Sequence, residues 1–484
     1  MKVRPRDFLA RADRLVGDAI TRGVKSHHKR RLERIGWHGA LDPPSGGWAG
    51  EMPPARSGNS LEVLIDGARA LPAMVSELER AQSQVHITGW YFSPHFVLVR
   101  DGETVVLRDL LARLAERLDV RVLAWAGAPL PLFRPSRRDV RRMKADLTLG
   151  TRIECRLDSK ERPLHCHHEK TIVIDDRVAF VGGIDLTCES GDRFDSPEHP
   201  LRAGVGWHDV CARIEGPAVA DVAEHFRMRW KEVTGEALPP PARSHSAGDA
   251  EVQIVRTVPE RVYRSTPNGD FRILESYVRA LRSAQRFVYL ENQFLWSPEI
   301  EAVLYDKLRR PPCDDFRMLV VLPAKPNTGA DDTRGVLAEL VTADRDAGRF
   351  LACTVYSRAG EPSSPIYVHA KVGIVDDRWL TVGSANLNEH SLFNDTELNL
   401  VTHDARIARD VRLRLWSEHL ERPIDAVAGN VTEVIDNLWK PLGREQRARY
   451  ERHAPLTHRV VELQGISRRS GRLLGPLKGL LVDG

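Results

Sequence analysis

A histidine, a lysine two places on and an aspartate five beyond that recur in this chain: His168, Lys170 and Asp175, then His369, Lys371 and Asp376. The copies lie 201 residues apart, and so do the Gly-rich strands behind them at Gly182 and Gly383, which describes an internal duplication. One copy offers an imidazole to attack phosphorus and a lysine to offset its charge, but lacks a second imidazole to protonate the leaving alkoxide. Two copies face to face supply both, with attacking and leaving atoms roughly in line. Neutral imidazole attacks and imidazolium donates, so the pair must hold its protons unequally near neutral pH. The two lysines, the Ser384 hydroxyl and the Asn386 amide would offset charge on the phosphoryl oxygens, the role a metal plays elsewhere, so no metal or cofactor is expected. A carboxylate bonded to each histidine would fix its tautomer. Asp195 and Glu397, 27 and 28 residues beyond their histidines, are the symmetric candidates.

Positioning falls to strands. Apolar alternation around each motif (Ile172, Ile174; Val372, Ile374) predicts a strand, on which residues two apart share a face, so each histidine points with its lysine. Asp175 and Asp376 belong to the motif and so to the catalytic set, yet each opens a tight Asp-Asp-Arg turn and reads as a turn residue. Counting back from a two-residue turn sets Ser384 opposite His369 and Gly183 opposite His168, with Asn386 and Asp185 one same-face step along. His165, Cys166 and His167 are metal-ligating types, but adjacent strand residues alternate faces, which argues against a metal cluster. Trp90, Tyr91, Phe294 and Trp296 read as core.

The repeat extends beyond the motif. A helix over 70–82 leads to a strand over 85–88 and then Gly89-Trp90-Tyr91-Phe92-Ser93-Pro94; about 203 residues on, a helix ending at Arg282 leads to a strand over 287–290 and Glu291-Asn292-Gln293-Phe294-Leu295-Trp296-Ser297-Pro298. Further helix–strand pairs (107–118 then 120–125; 300–308 then 317–322) keep the rhythm of an α/β sheet. The expected organisation is a basic amphipathic segment and linker over 1–60, a first lobe over 61–238, a Pro-rich joint, a second lobe over 249–422 and a basic extension over 423–484.

Apolar and charged fractions of 42% and 29% suit a soluble globular chain, and 484 residues suit two cores. No apolar run reaches membrane-spanning length and no signal-peptide core opens the sequence, so a cytoplasmic protein, peripheral to a membrane at most, is expected. Six cysteines without a C-x-x-C pair predict reduced thiols. Residues 1–34 carry +7 and residues 440–484 carry +6; against +4 for the whole, the middle is −9. An acidic body argues against nucleic acid, and basic ends fit a membrane surface or plain solvation.

These residues resemble the phospholipase D superfamily, whose defining feature is the duplicated motif. The likeness covers about residues 61–422. The run from Tyr367 through Gly383-Ser384-Ala385-Asn386 to Asn394-Asp395-Thr396-Glu397 follows the family pattern without a gap. Gly182-Gly183-Ile184-Asp185, Gly191-Asp192-Arg193-Phe194-Asp195 and Trp207-His208-Asp209-Val210 look like the lipid-acting phospholipases, and Glu291-Asn292-Gln293 is similar to a family segment. The resemblance implies two α/β/α sandwich lobes related by a pseudo-two-fold axis with the active site between them. It also implies a phosphohistidine intermediate released by water or an alcohol, with His168 as nucleophile and His369 as general acid, although motif symmetry leaves that order open. Gly183 and Asp185 stand where the second copy has Ser384 and Asn386, so the halves should contact phosphate unequally. The expected activity is hydrolysis of glycerophospholipids to phosphatidic acid, or transphosphatidylation, by a monomer. The alternatives are a cardiolipin synthase-like phosphatidyltransferase and a nuclease or other phosphodiesterase of the superfamily.

Overall fold

Strand residues alternate faces, and here each face meets its own helices. Ile172 and Ile174 pack with the helices Gly67–Glu79 and Leu107–Ala115, while Val173 between them packs with the helix Val219–Thr234. In the second half Val288 and Leu290 pack with Arg272–Ser283 and Pro298–Arg309, and Tyr289 with Ala405–Leu420. Each half is therefore a sheet between two helical layers. The computed structural model describes residues 21–129, 134–163, 165–188, 191–196, 205–242, 244–325, 330–358 and 363–465.

The strand order of the first half is Arg56–Ile65, Val210–Glu215, Val178–Gly182, Thr171–Ile174, Gln84–Gly89, Asp119–Trp125, Glu154–Asp158. The second half repeats it with Ala250–Val258, Glu397–Thr402, Trp379–Gly383, Val372–Val375, Phe287–Glu291, Arg317–Val321 and Phe350–Ser357. In both, the last two pairings are parallel, where helices make the crossovers, and the others antiparallel. The halves join by main chain: Arg56 and Asn59 pair with Val252 and Ala250, and Gly206–His208 runs parallel to Ser364–Val368. One apolar cluster spans the junction, from Val63 and Val222 to Ile254 and Trp416.

Three expectations are corrected. Ile174 pairs with Val178 and Val375 with Trp379, so each hairpin loop holds three residues, not two. Both aspartates of each loop take positive φ (54° and 54°; 55° and 51°), which Asp tolerates better than most side chains. The extra residue slips the register by one: continued along the ladder, Ile184 rather than Gly183 comes opposite His168, and Ala385 rather than Ser384 opposite His369.

Next, residues 36–60 are more than a linker, since the first strand begins at Arg56 and Ala40 and Ala49 are buried. Residues 21–35 are helical and lie on the second half: His28 Nδ1 is 2.9 Å from Glu299 Oε1, and Arg31 donates to Glu260 and Asn394. Residues 1–20 of the expected helix fall outside the described residues. Finally, the chain beyond 423 closes on the second half, with Trp439 buried in the shared core and Val460–Glu462 pairing along Phe350–Ser357. None of the six cysteines is bridged, and no described helix is long and apolar enough to cross a membrane.

Candidate active site

Each motif is pinned by the opposite half. The N–H groups of His168 and Glu169 both donate to the Thr396 carbonyl (2.9 and 3.1 Å), and those of His369 and Ala370 both donate to the His208 carbonyl (2.8 and 3.2 Å). One residue beyond each carbonyl stands an acid. Glu397 Oε1 lies 2.9 Å from His168 Nδ1, and Asp209 Oδ2 lies 2.7 Å from His369 Nδ1. Such reciprocal contacts are those of a two-fold relation. With Nδ1 of each ring turned to a carboxylate, Nε2 is the nitrogen that can reach a phosphorus atom. The two clusters lie near enough for the charges of Lys170 and His168 to bear on His369.

Glu397 is therefore a histidine partner, but across the halves and not to the histidine of its own motif. Asp195 is not the matching one: it accepts the Trp207 N–H, and the Trp207 ring in turn lies 4.6 Å from the His369 ring. The residue missed from the sequence is Asp209. Equal counting beyond the motifs fails because His168 and Asp209 are 41 residues apart while His369 and Glu397 are 28 apart. The pairings Gly182 with Cys211 and Gly383 with Asn399 set Asp209 and Glu397 at the same place in the two sheets. The signal available was the strand entry Trp207-His208-Asp209-Val210 beside Asp395-Thr396-Glu397-Leu398.

The lysines follow the motif symmetry and then depart from it. Lys170 Nζ donates to the His168 carbonyl at 2.7 Å and pairs with Asp185 at 3.4 Å. Lys371 Nζ donates to the His369 carbonyl and, at 3.2 Å, to Gln293 Oε1, which also accepts Asn386 Nδ2 at 3.2 Å. A carboxylate thus faces one lysine and a neutral amide the other, so the halves are unequal. Ser384 sits behind the site: it donates its hydroxyl to Glu397, as Ser391 does at 2.5 Å. At the matching position Gly183 makes room, because a Cβ there would come within 2.1 Å of Asp209 Oδ1. Asp175 and Asp376 are not brought to the histidines. Asp175 accepts the N–H groups of Gln82, Ser83 and Gln84, and Asp376 those of Gln285, Arg286 and Phe287, tying each turn to the neighbouring strand.

Burial works against every charge here. It pushes the Asp209 carboxyl up to about 6 although Lys371 and the Val210 N–H oppose it. It lifts Glu397 well above the usual carboxyl range against Lys170 and the Ser384 and Ser391 hydroxyls, and brings Lys371 down to about 7 against Asp209. His369 is held well below the ordinary imidazole range, first by burial, then by Lys371, Arg193 and Lys170. A raised carboxyl and a lowered imidazole approach one another in proton affinity, so a proton on the Asp209–His369 pair belongs to both. Arg193, buried beside Trp207 with Nε and Nη1 lacking hydrogen-bond partners, adds a third cation that the sequence reading did not single out. Two lysines and an arginine around two imidazoles suit an anion.

Residues 77–206 match the family model described as phospholipase D, and residues 277–417 the one described as cardiolipin synthase, PLD-like domain. The chain is 26% identical over 469 residues to phospholipase D A of Dictyostelium discoideum (76% of this chain, 36% of that protein). It is 27% identical over 486 residues to phospholipase D alpha 4 of Arabidopsis thaliana (72% and 63%), and 24% over 475 residues to phospholipase D2 of Bos taurus (73% and 50%). It thus spans between about a third and just under two thirds of the length of these relatives. A crystal structure of phosphatidylserine synthase from Haemophilus influenzae Rd KW20 aligns with 80% of this chain and 88% of its own at 12% identity, with a TM-score of 0.48.

Proposed function

The chain belongs to the phospholipase D superfamily, and from that premise we propose that it cleaves the headgroup-side ester of glycerophospholipids at a membrane surface, releasing phosphatidic acid or passing the phosphatidyl group to an alcohol. The observation that carries this is the reciprocal pairing of His168 with Glu397 and His369 with Asp209 around Lys170 and Lys371. His168 Nε2 attacks phosphorus as the bond to the headgroup oxygen breaks, and the proton held by the His369–Asp209 pair passes to that oxygen. Water or an alcohol then gives its proton to His369 and attacks, breaking the P–N bond and freeing His168. Lys170, Lys371 and Arg193 offset the charge on the phosphoryl oxygens, and the bound anion in turn favours the protonated form of His369. No step is asked of a metal.

His168→Ala and His369→Ala are each expected to abolish turnover in a folded protein, and near-wild-type activity in either would contradict the shared site. Activity is expected to persist in chelator; loss restored by zinc or calcium would overturn the metal-independent route. Phosphatidylglycerol vesicles assayed beside a DNA oligomer separate a lipase from a nuclease. The family model over residues 277–417 favours a second reading, phosphatidyl transfer onto another phospholipid. Mass spectrometry of products from mixed lipids with added ethanol distinguishes the outcomes, as phosphatidic acid, phosphatidylethanol or cardiolipin.

A further inference from the structure

Beside the reacting pair lies a second set of imidazoles that phosphoryl transfer leaves unused. His165 Nδ1 is 3.0 Å from His390 Nδ1 and 3.5 Å from Asp395 Oδ1. His165 precedes the first motif by three residues, whereas His390 and Asp395 stand at the two ends of a π-helical turn in the second half, where the Asp395 N–H closes on the His390 carbonyl at 2.8 Å. Turns of this wide kind are uncommon and often sit at functional places. His167 is not part of this set, since it turns to Asp158 at 3.1 Å. His165 instead finds its partners across the junction, where no single stretch of sequence could show them.

Two imidazoles and a carboxylate are a donor set suited to zinc and similar ions. Metal–ligand bonds of about 2.0–2.1 Å in a tetrahedron separate ligand atoms by roughly 3.3 Å, between the two distances found. Asp395 Oδ1 also accepts the Cys166 N–H at 2.8 Å, the kind of outer contact that orients a ligating carboxylate. The protein alone leaves this cluster poorly matched. His390 and Asp395 are 1% and 0% exposed, yet His390 Nε2 and Asp395 Oδ2 have no hydrogen-bond partner, and two facing Nδ1 atoms have one proton between them at best. The His165 side chain is 12% exposed and gives a way in. The other buried cluster differs: His208 is already clamped between Asp66 (2.9 Å) and Glu291 (2.8 Å), and Glu291 also takes His419 at 2.8 Å and the Tyr289 hydroxyl.

We propose that His165, His390 and Asp395 form a three-ligand site for zinc or a similar first-row divalent ion, with a fourth position open to water, that fastens the segment before His168 to the π-turn of the second half. The ion is no reactant. Its place is structural, since Ser391 of that turn supports Glu397, which holds His168.

The test uses the full chain, stripped by chelator and titrated with Co²⁺ alone and then Zn²⁺. One equivalent of Co²⁺ with the visible absorption of a four-coordinate site is expected, displaced by Zn²⁺, together with a Zn²⁺-dependent rise in the thermal midpoint. His165→Ala, at a partly exposed position, and the isosteric Asp395→Asn should each weaken Zn²⁺ binding by about 100-fold or more and remove the thermal shift. Absence of stoichiometric uptake, or uptake that both variants leave unchanged, overturns the site. Stripped protein should keep its turnover at the assay temperature, since the ion stabilises and does not react; the phosphoryl-transfer reading is tested separately by His168→Ala and His369→Ala.

Discussion

Asp209 of the first half holds His369 of the second, with Oδ2 2.7 Å from Nδ1. Glu397 returns the arrangement to His168. Each motif imidazole is therefore oriented by the half that does not carry it, and neither half supplies the carboxylate partner of its own motif histidine.

Removing either carboxylate should lower turnover more than binding. Asp209→Asn and Glu397→Gln are each expected to reduce kcat by about 10²–10⁴-fold with KM little changed, the range seen when an imidazole loses the group that fixes its tautomer. Asp195→Asn, at the residue bonded to the Trp207 N–H, should cost far less. Steady-state kinetics on the three variants decides whether Asp209 or Asp195 is the partner.

The pH profile carries a sign for each limb. In the free enzyme the Asp209–His369 pair must carry the proton that passes to the leaving oxygen, so kcat/KM should fall as pH rises through about 6, and fall further through about 7 as Lys371 loses its charge. A bound phosphodiester anion stabilises charged Lys371, so the alkaline limb of kcat should lie at higher pH than that of kcat/KM. Lys371→Arg should remove the part of the fall near 7 in whatever activity remains, because arginine does not titrate there, and leave the fall near 6. Coincident alkaline limbs for the two parameters would remove Lys371 from this role.

The sequence made the motif duplication and the α/β rhythm readable because these follow from short-range spacing, whereas Glu397 was picked out as a carboxylate partner but of the wrong histidine. The helix expected over 300–308 is found over Pro298–Arg309. What escaped depended on contacts distant in the chain. Asp209 was hidden by the extra length between Gly182 and Val210, which only the strand pairing absorbs. Residues 21–35 cross to the second half through pairs such as Arg31 with Glu260, 229 residues away. The one-residue slip in each hairpin came from two left-handed aspartates, a loop geometry that Asp-Asp-Arg permits but does not announce.

Gly183 offers a steric test of the same pair. A methyl group there would collide with Asp209 Oδ1, so Gly183→Ala should displace the carboxylate from His369 and lower kcat by about 10²-fold, the cost of a misplacement near 1 Å. Unfolding by urea should show a much smaller change than the kinetics do. Equal activity of Gly183→Ala and wild type would mean that the close approach has no catalytic consequence.

Glu291 tests stability instead. Its carboxylate is buried between His208 and His419, and His208 is held well above the ordinary imidazole range by Asp66 and Glu291 against burial. Glu291→Gln leaves that charge half-matched and should cost about 3–5 kcal/mol, read from urea unfolding near neutral pH. A loss below about 1 kcal/mol would show that the cluster is not a charged one.

The most direct measurement traps the covalent intermediate. In full-length His369→Ala, a phosphatidyl ester with p-nitrophenol as its leaving group needs no acid for the first step but lacks the base for the second, so the phosphatidyl group should accumulate. Rapid quenching and peptide mass spectrometry should find it on His168, with one equivalent of p-nitrophenol released. A phosphatidyl group elsewhere, or full turnover without any adduct, would contradict two histidines from opposite halves acting on one phosphorus.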